Sequence, residues 1–82
     1  MIQFVILEDI KQILKEKLNL NKDDIKMTSR LRMDLNIQSW GRTLLFANLE
    51  RSYDITFTYN ETSSPKIIRD VITIIYTKLN RK

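Results

Sequence analysis

The chain has 82 residues, of which fourteen are Lys or Arg and ten are Asp or Glu, for a net charge of +4, and it contains no cysteine and no histidine. A chain of this size buries only about 60% of its unfolded surface, which leaves room for one core and none for a deep catalytic cleft. The missing residue types exclude disulfides, thiol chemistry, cysteine-histidine zinc sites and histidine-based acid/base catalysis, so the expectation is a single domain over residues 1–82 that is not an enzyme.

No apolar run approaches the roughly 18 to 20 residues of a membrane span, and the N-terminus lacks the basic lead and small-residue cleavage site of a signal peptide. The expected location is the cytoplasm. The basic excess permits nucleic acid as a partner. Yet Lys11, Lys15, Lys17, Lys22, Lys26, Arg30 and Arg32 are interleaved with Glu8, Asp9, Glu16, Asp23, Asp24 and Asp34, which is the pattern of a solvated mixed surface.

The first element has apolar residues at 6, 7, 10, 13, 14 and 18 with polar residues between them. This spacing predicts an amphipathic helix with one face to the core. Its acidic residues fall toward the start and Lys15 and Lys17 toward the end, as the helix dipole favours. Ile2 to Leu7 reads either as the first turns of that helix or as an extended lead-in. Asn19, Asn21 and Lys22-Asp23-Asp24 read as a stop and a turn. From Asn19 to Gln38 no helical period is sustained. The regular return of Leu20, Ile25, Leu31 and Leu35 predicts a long ordered loop pinned to the core.

A second helix is expected to begin near Ser39. At roughly 100° per residue, Leu45, Phe46, Leu49 and Tyr53 share one face, assigned to the core. Trp40, Leu44 and Ala47 lie nearly opposite, with Arg51 one turn further along. A small domain has no second core for that face, so these four residues form a candidate interaction patch beside Ser39. The competing reading folds Trp40 back against the long loop. Ser39 itself has an ordinary explanation as the N-cap of the helix, although Arg42 at the third helical position gives it no capping box.

The segment Ile55 to Tyr59 alternates like a strand. A lone strand in a helical chain has no partner, so the expectation is an extended segment tucking Ile55 and Phe57 inward. Residues 60–65 read as a polar turn, and a last helix is expected from Lys66 to Lys78 with Ile68, Val71, Ile72, Ile75 and Leu79 on one stripe. Its β-branched content lowers intrinsic propensity, so packing must maintain it. Asn80, Arg81 and Lys82 read as a frayed tail.

The register D-I-K-Q-I-L-K-E-K-L-N-L-N-K-D-D-I, then L-R-M-D-L-N-I-Q-S-W, then L-L-F-A-N-L-E-R-S-Y-D-I, resembles the acyl carrier proteins and the related peptidyl and D-alanyl carriers. The family motif Asp-Leu-Gly-x-Asp-Ser-Leu, followed by a helix ending Leu-Glu-x-x-Phe, meets Asp34, Leu35, Asn36, Ile37, Gln38, Ser39 and Trp40, then Leu49, Glu50, Arg51, Ser52 and Tyr53. The resemblance implies an all-α fold, a small four-helix carrier-protein bundle with a long loop between the first and second helices. The short third helix of the family would fall in the polar turn. It also implies that Ser39 is the residue that carries 4′-phosphopantetheine. The cargo would then be an acyl or aminoacyl group held as a thioester, as in fatty-acid, polyketide, peptide or cell-wall pathways. Gly41 matches the residue that many D-alanyl carriers have two places after the serine.

The departures bear on partners. Gln38 stands where the family has Asp, Trp40 where it has Leu, and Leu44 and Arg51 occupy positions that are commonly acidic. Gln38, Trp40, Leu44, Ala47 and Arg51 are therefore the expected recognition residues. The expected partners are a phosphopantetheinyl transferase and acyl- or aminoacyl-loading and transferring enzymes whose docking surface is apolar or acidic. The chain is expected to act as a monomer. Two rival readings stay open: an unmodified interaction module on the same fold, and a small basic helical domain that binds nucleic acid. The second is disfavoured because an apolar patch, and not a Lys/Arg stripe, is the strongest surface feature.

Overall fold

The structure is a computed structural model that describes residues 2–81. Its elements in chain order are α1 (Ile2–Leu18), a short 3-10 helix (Lys22–Asp24), α2 (Ser39–Tyr53), α3 (Tyr59–Ser63) and α4 (Ile68–Asn80), with no strand among the described residues. The fold is thus an all-α bundle of four helices. In it α1 packs against α2 and α4, and α3 packs against α2.

Helix α1 buries Ile6, Leu7, Ile10 and Leu14, with Ile13 and Leu18 packed partly against the core. It is helical from Ile2, so the extended lead-in does not form. With that earlier start its first turn has no acidic residue, and Glu8 and Asp9 lie deeper in the helix than the dipole argument placed them. Lys15 and Lys17 do occupy the last turn. Asn19 stops the helix in the left-handed region, at φ 58°, a conformation Asn tolerates better than most residues.

The loop between α1 and α2 is built from local hydrogen bonds. Asn21 caps the 3-10 helix by accepting from the Asp23 amide. The buried Ser29 hydroxyl accepts from the Lys26 amide at 2.9 Å and donates to the Asp24 carbonyl at 3.1 Å. Ile25, Leu31, Leu35 and Ile37 are buried, and Leu20 partly so. The loop also terminates another element. The Ser29 and Met27 carbonyls accept from the Ile68 and Arg69 amides at 3.0 and 2.9 Å, satisfying donors that the first turn of α4 cannot pair internally. A single antiparallel bridge, Arg30 to Ile67, completes this seam.

Helix α2 buries Leu45, Phe46 and Leu49 and half-buries Tyr53. The Tyr53 hydroxyl donates to Asp9 of α1, and burial, then the Asp9 carboxylate, pushes the phenol well above its ordinary range. The chain after α2 is extended, with Ile55 buried and Phe57 half-buried. The Phe57 ring meets Phe46 edge to face at 4.8 Å, and its amide donates to Glu50 at 2.8 Å.

Helix α3 begins at Tyr59, a residue whose alternation read as extended. The reason is a capping box: Thr58 accepts from the Glu61 amide and Glu61 accepts from the Thr58 amide. The last helix starts two residues later than its pattern suggested. Lys66 and Ile67 form its cap, both donating their amides to Asp70. Ile68, Val71, Ile72 and Ile75 are buried and Leu79 is packed partly against the core. Asn80 is helical and Arg81 is the C-cap; Lys82 lies outside the described residues. No helix among the described residues is long and apolar enough to cross a membrane.

Candidate functional site

The end of the long loop delivers the chain to α2 through a tight turn. Asp34 accepts from the Arg30 amide at 2.8 Å and from its guanidinium at 3.2 and 3.3 Å. The amide and then the guanidinium hold the Asp34 carboxyl below the usual carboxylate range. Asn36 follows in the left-handed region, at φ 54°. The family motif has glycine at this place, and Asn is the side chain that replaces it with least strain. Ile37 then returns to the core, 2% exposed.

Helix α2 opens one residue earlier than an N-cap serine requires. Gln38 is the cap, with extended backbone and no side-chain cap hydrogen bond, and its carbonyl accepts the first helical bond from Arg42 at 2.9 Å. Ser39 is the first helical residue and is exposed. The expectation that its hydroxyl caps the helix is therefore corrected. Two residues on, the buried Gly41 packs its hydrogen-sized face against Ile37 and Leu18. A Cβ there would lie 3.1 Å from the Ile37 Cγ2 and 3.2 Å from the Leu18 Cδ1.

Around Ser39 the sequence-derived patch is placed as follows. Trp40 is 65% exposed, Gln38, Ala47 and Arg51 are exposed, and Leu44 is half-buried. Trp40 does not fold away beneath the loop. It borders a cleft of about 200 Å³ whose floor is Leu18, Leu20, Leu35 and Ile37. On another side a groove of about 220 Å³ is lined by Ser39, Arg42, Thr43, Tyr59, Thr62 and Ser63.

Arg42 is the residue that sequence reasoning passed over, noting it only as failing a capping box. It is half-buried and donates from Nη1 to the Thr62 carbonyl at 3.2 Å, which ties α2 to α3. Burial lowers its pKa from the ordinary arginine value, though an arginine stays charged at any working pH. The available signal was a cation one helical turn after the serine.

No family model matches the chain. Among curated proteins it is similar to the acyl carrier protein of Coprothermobacter proteolyticus, at 30% identity over 77 residues covering 94% of each chain. The chain belongs to the acyl carrier protein family. The acyl carrier protein of Wolinella succinogenes is 31% identical over 72 residues, 88% of this chain and 95% of the relative. That of Chlamydia muridarum is 29% identical over 73 residues, 89% and 95% respectively. These alignments span nearly the whole length on both sides, so the membership concerns the entire bundle and not a shared helix pair.

Proposed function

We propose that the chain is an acyl carrier with 4′-phosphopantetheine on Ser39, holding an acyl or aminoacyl group and passing it between enzymes as a shuttle and not a catalyst. One observation supports this most: in a chain of this family, Ser39 opens α2 exposed and outside the cap. The residues present fit the group. The Ser39 oxygen is the attachment atom, the unpaired amides of the first turn favour an anion beside it, and the groove next to it is lined by hydroxyls and one cation. When bound, the group supplies the thiol that this cysteine-free chain lacks, and the cargo is held as its thioester.

Gln38, Trp40, Leu44, Ala47 and Arg51 are the face offered to the phosphopantetheinyl transferase and to the loading and transferring enzymes. That face bears Trp, Leu and Arg, so complementary partners present apolar or acidic surface. The chain works as one domain and as a monomer.

Intact mass tests the proposal. The protein is incubated with coenzyme A and a panel of phosphopantetheinyl transferases, with Ser39→Ala as the control. A phosphopantetheine adduct on the native chain and none on the variant is the expected result. No Ser39-dependent adduct with any transferase leaves the unmodified interaction module as the reading.

A further inference from the structure

Arg42 is a partly buried cation with no carboxylate partner among the described residues. The ion pairs there are Lys11 with Glu8, Arg30 with Asp34 and Lys78 with Glu61. Its side-chain hydrogen bond goes to the neutral Thr62 carbonyl, which uses one of the five N–H donors of a guanidinium. Withdrawing a charge from water without an opposite charge nearby is unfavourable, and other cations make the surroundings more so. Arg42 shares a depression of about 190 Å³ with Arg30, Arg32, Met33 and Lys66. Of the charges there, the Arg30 side chain is neutralised by Asp34, while Asp70 accepts from the backbone amide of Lys66. The local field therefore favours an anion at Arg42.

Arg42 also lines the groove that contains Ser39. Residues three apart on a helix have Cβ atoms about 5 to 6 Å from one another. Long helical side chains also lean toward the N-terminus of their helix, which for Arg42 is the direction of Ser39. Thr43 and Thr62 spend their hydroxyl donors on backbone carbonyls, those of Ser39 and Tyr59, which leaves Arg42 as the charged donor of the groove.

We infer that Arg42 is a binding residue for the phosphodiester of the group carried on Ser39, which starts the arm along the hydroxyl-lined groove toward α3. This rests on the attachment at Ser39 proposed above. It differs from partner recognition by the Trp40 face, because Arg42 acts on the chain's own modification and needs no second protein.

The test compares unmodified protein with protein loaded from coenzyme A, loading being verified by intact mass. The readouts are the Arg42 Nε–H signal in nitrogen-resolved NMR, the phosphorus chemical shift, and the melting temperature. Expected are a shift of the Arg42 signal on loading and a rise in melting temperature of roughly 3 °C. The rise should be lost in Arg42→Gln, partly kept in Arg42→Lys, and reduced by salt. A loaded protein whose Arg42 signal does not move, with the same loading-dependent melting shift in native chain and variants, overturns the inference while leaving the Ser39 attachment standing. If loading never occurs, attachment and inference fall together. The Arg42 signal of the native chain decides the matter even if Arg42→Gln does not fold.

Discussion

Glu61 and Lys78 meet at 2.9 Å, and that ion pair joins α3, the shortest of the four helices, to the last turn of α4. Glu61 also closes the capping box of α3 with Thr58. Lys78 in turn lies over the Phe57 ring, 5.8 Å from its centroid, and Phe57 packs edge-on against Phe46 of α2. Glu61→Ala removes a cap partner and an ion pair together and is expected to destabilise by about 1 kcal/mol. Glu61→Gln, which keeps an acceptor for the Thr58 amide, should lose less. Urea denaturation of both variants measures the difference.

The same residue gives a pH dependence. The Thr58 amide, and after it the Lys78 ammonium, hold the Glu61 carboxyl below its ordinary range. A carboxylate whose folded pKa is lowered contributes stability above its unfolded pKa and loses it as pH falls through the folded one. Stability should therefore be level at neutral pH and decline below about pH 4.3, the ordinary glutamate value. Asp34, also lowered, adds a decline in the same direction at lower pH. Melting curves across this range should show a weaker decline in Glu61→Gln than in the native chain.

Asn36 holds a left-handed backbone immediately before the helix that presents Ser39. Asn36→Gly is expected to be tolerated with little change in stability, because glycine adopts that conformation without strain. Asn36→Ala should cost roughly 1 to 2 kcal/mol from the left-handed penalty. Hydrogen exchange of the Leu35 to Ile37 amides should rise in the alanine variant and stay low in the glycine one.

Gly41 is buried where a Cβ would press on Ile37 and Leu18. Alanine gains about 1 kcal/mol of helix propensity over glycine, which offsets the crowding of one methyl. Valine adds further atoms to the same gap with less of that gain. Gly41→Val is expected to destabilise by roughly 1 to 3 kcal/mol, measurable by chemical denaturation, and Gly41→Ala to stay close to native.

Trp40→Ala and Arg51→Glu remove side chains that are exposed. Both variants should melt within a few degrees of the native chain, since surface changes stay within about 0.5 kcal/mol. If the proposed partner face is right, phosphopantetheine loading or downstream transfer slows in both. A large drop in melting temperature for Trp40→Ala would assign that ring to the core instead.

Much of this protein is written locally. The i, i+3, i+4 spacing of Ile6, Leu7, Ile10 and Leu14, and of Leu45, Phe46 and Leu49, determines two helices and their inward faces. The returning Ile25, Leu31 and Leu35 determine that the long loop is ordered. The exposed side of α2, the serine at its start and the family motif around it were also legible, because periodicity and side-chain identity suffice for them. Other features depend on residues distant in the chain. That Gln38 caps α2 and Ser39 opens it is seen only in the folded chain. Residues 66 and 67 became a cap and not a helical turn once Asp70 bonded their amides and the loop carbonyls of Met27 and Ser29 paired the next two. The place of Arg42, tied to Thr62 twenty residues later and sharing a groove with Ser39, follows from α3 docking on α2. Helical periodicity records which way a residue faces, whereas the identity of what it faces exists only after the helices have packed.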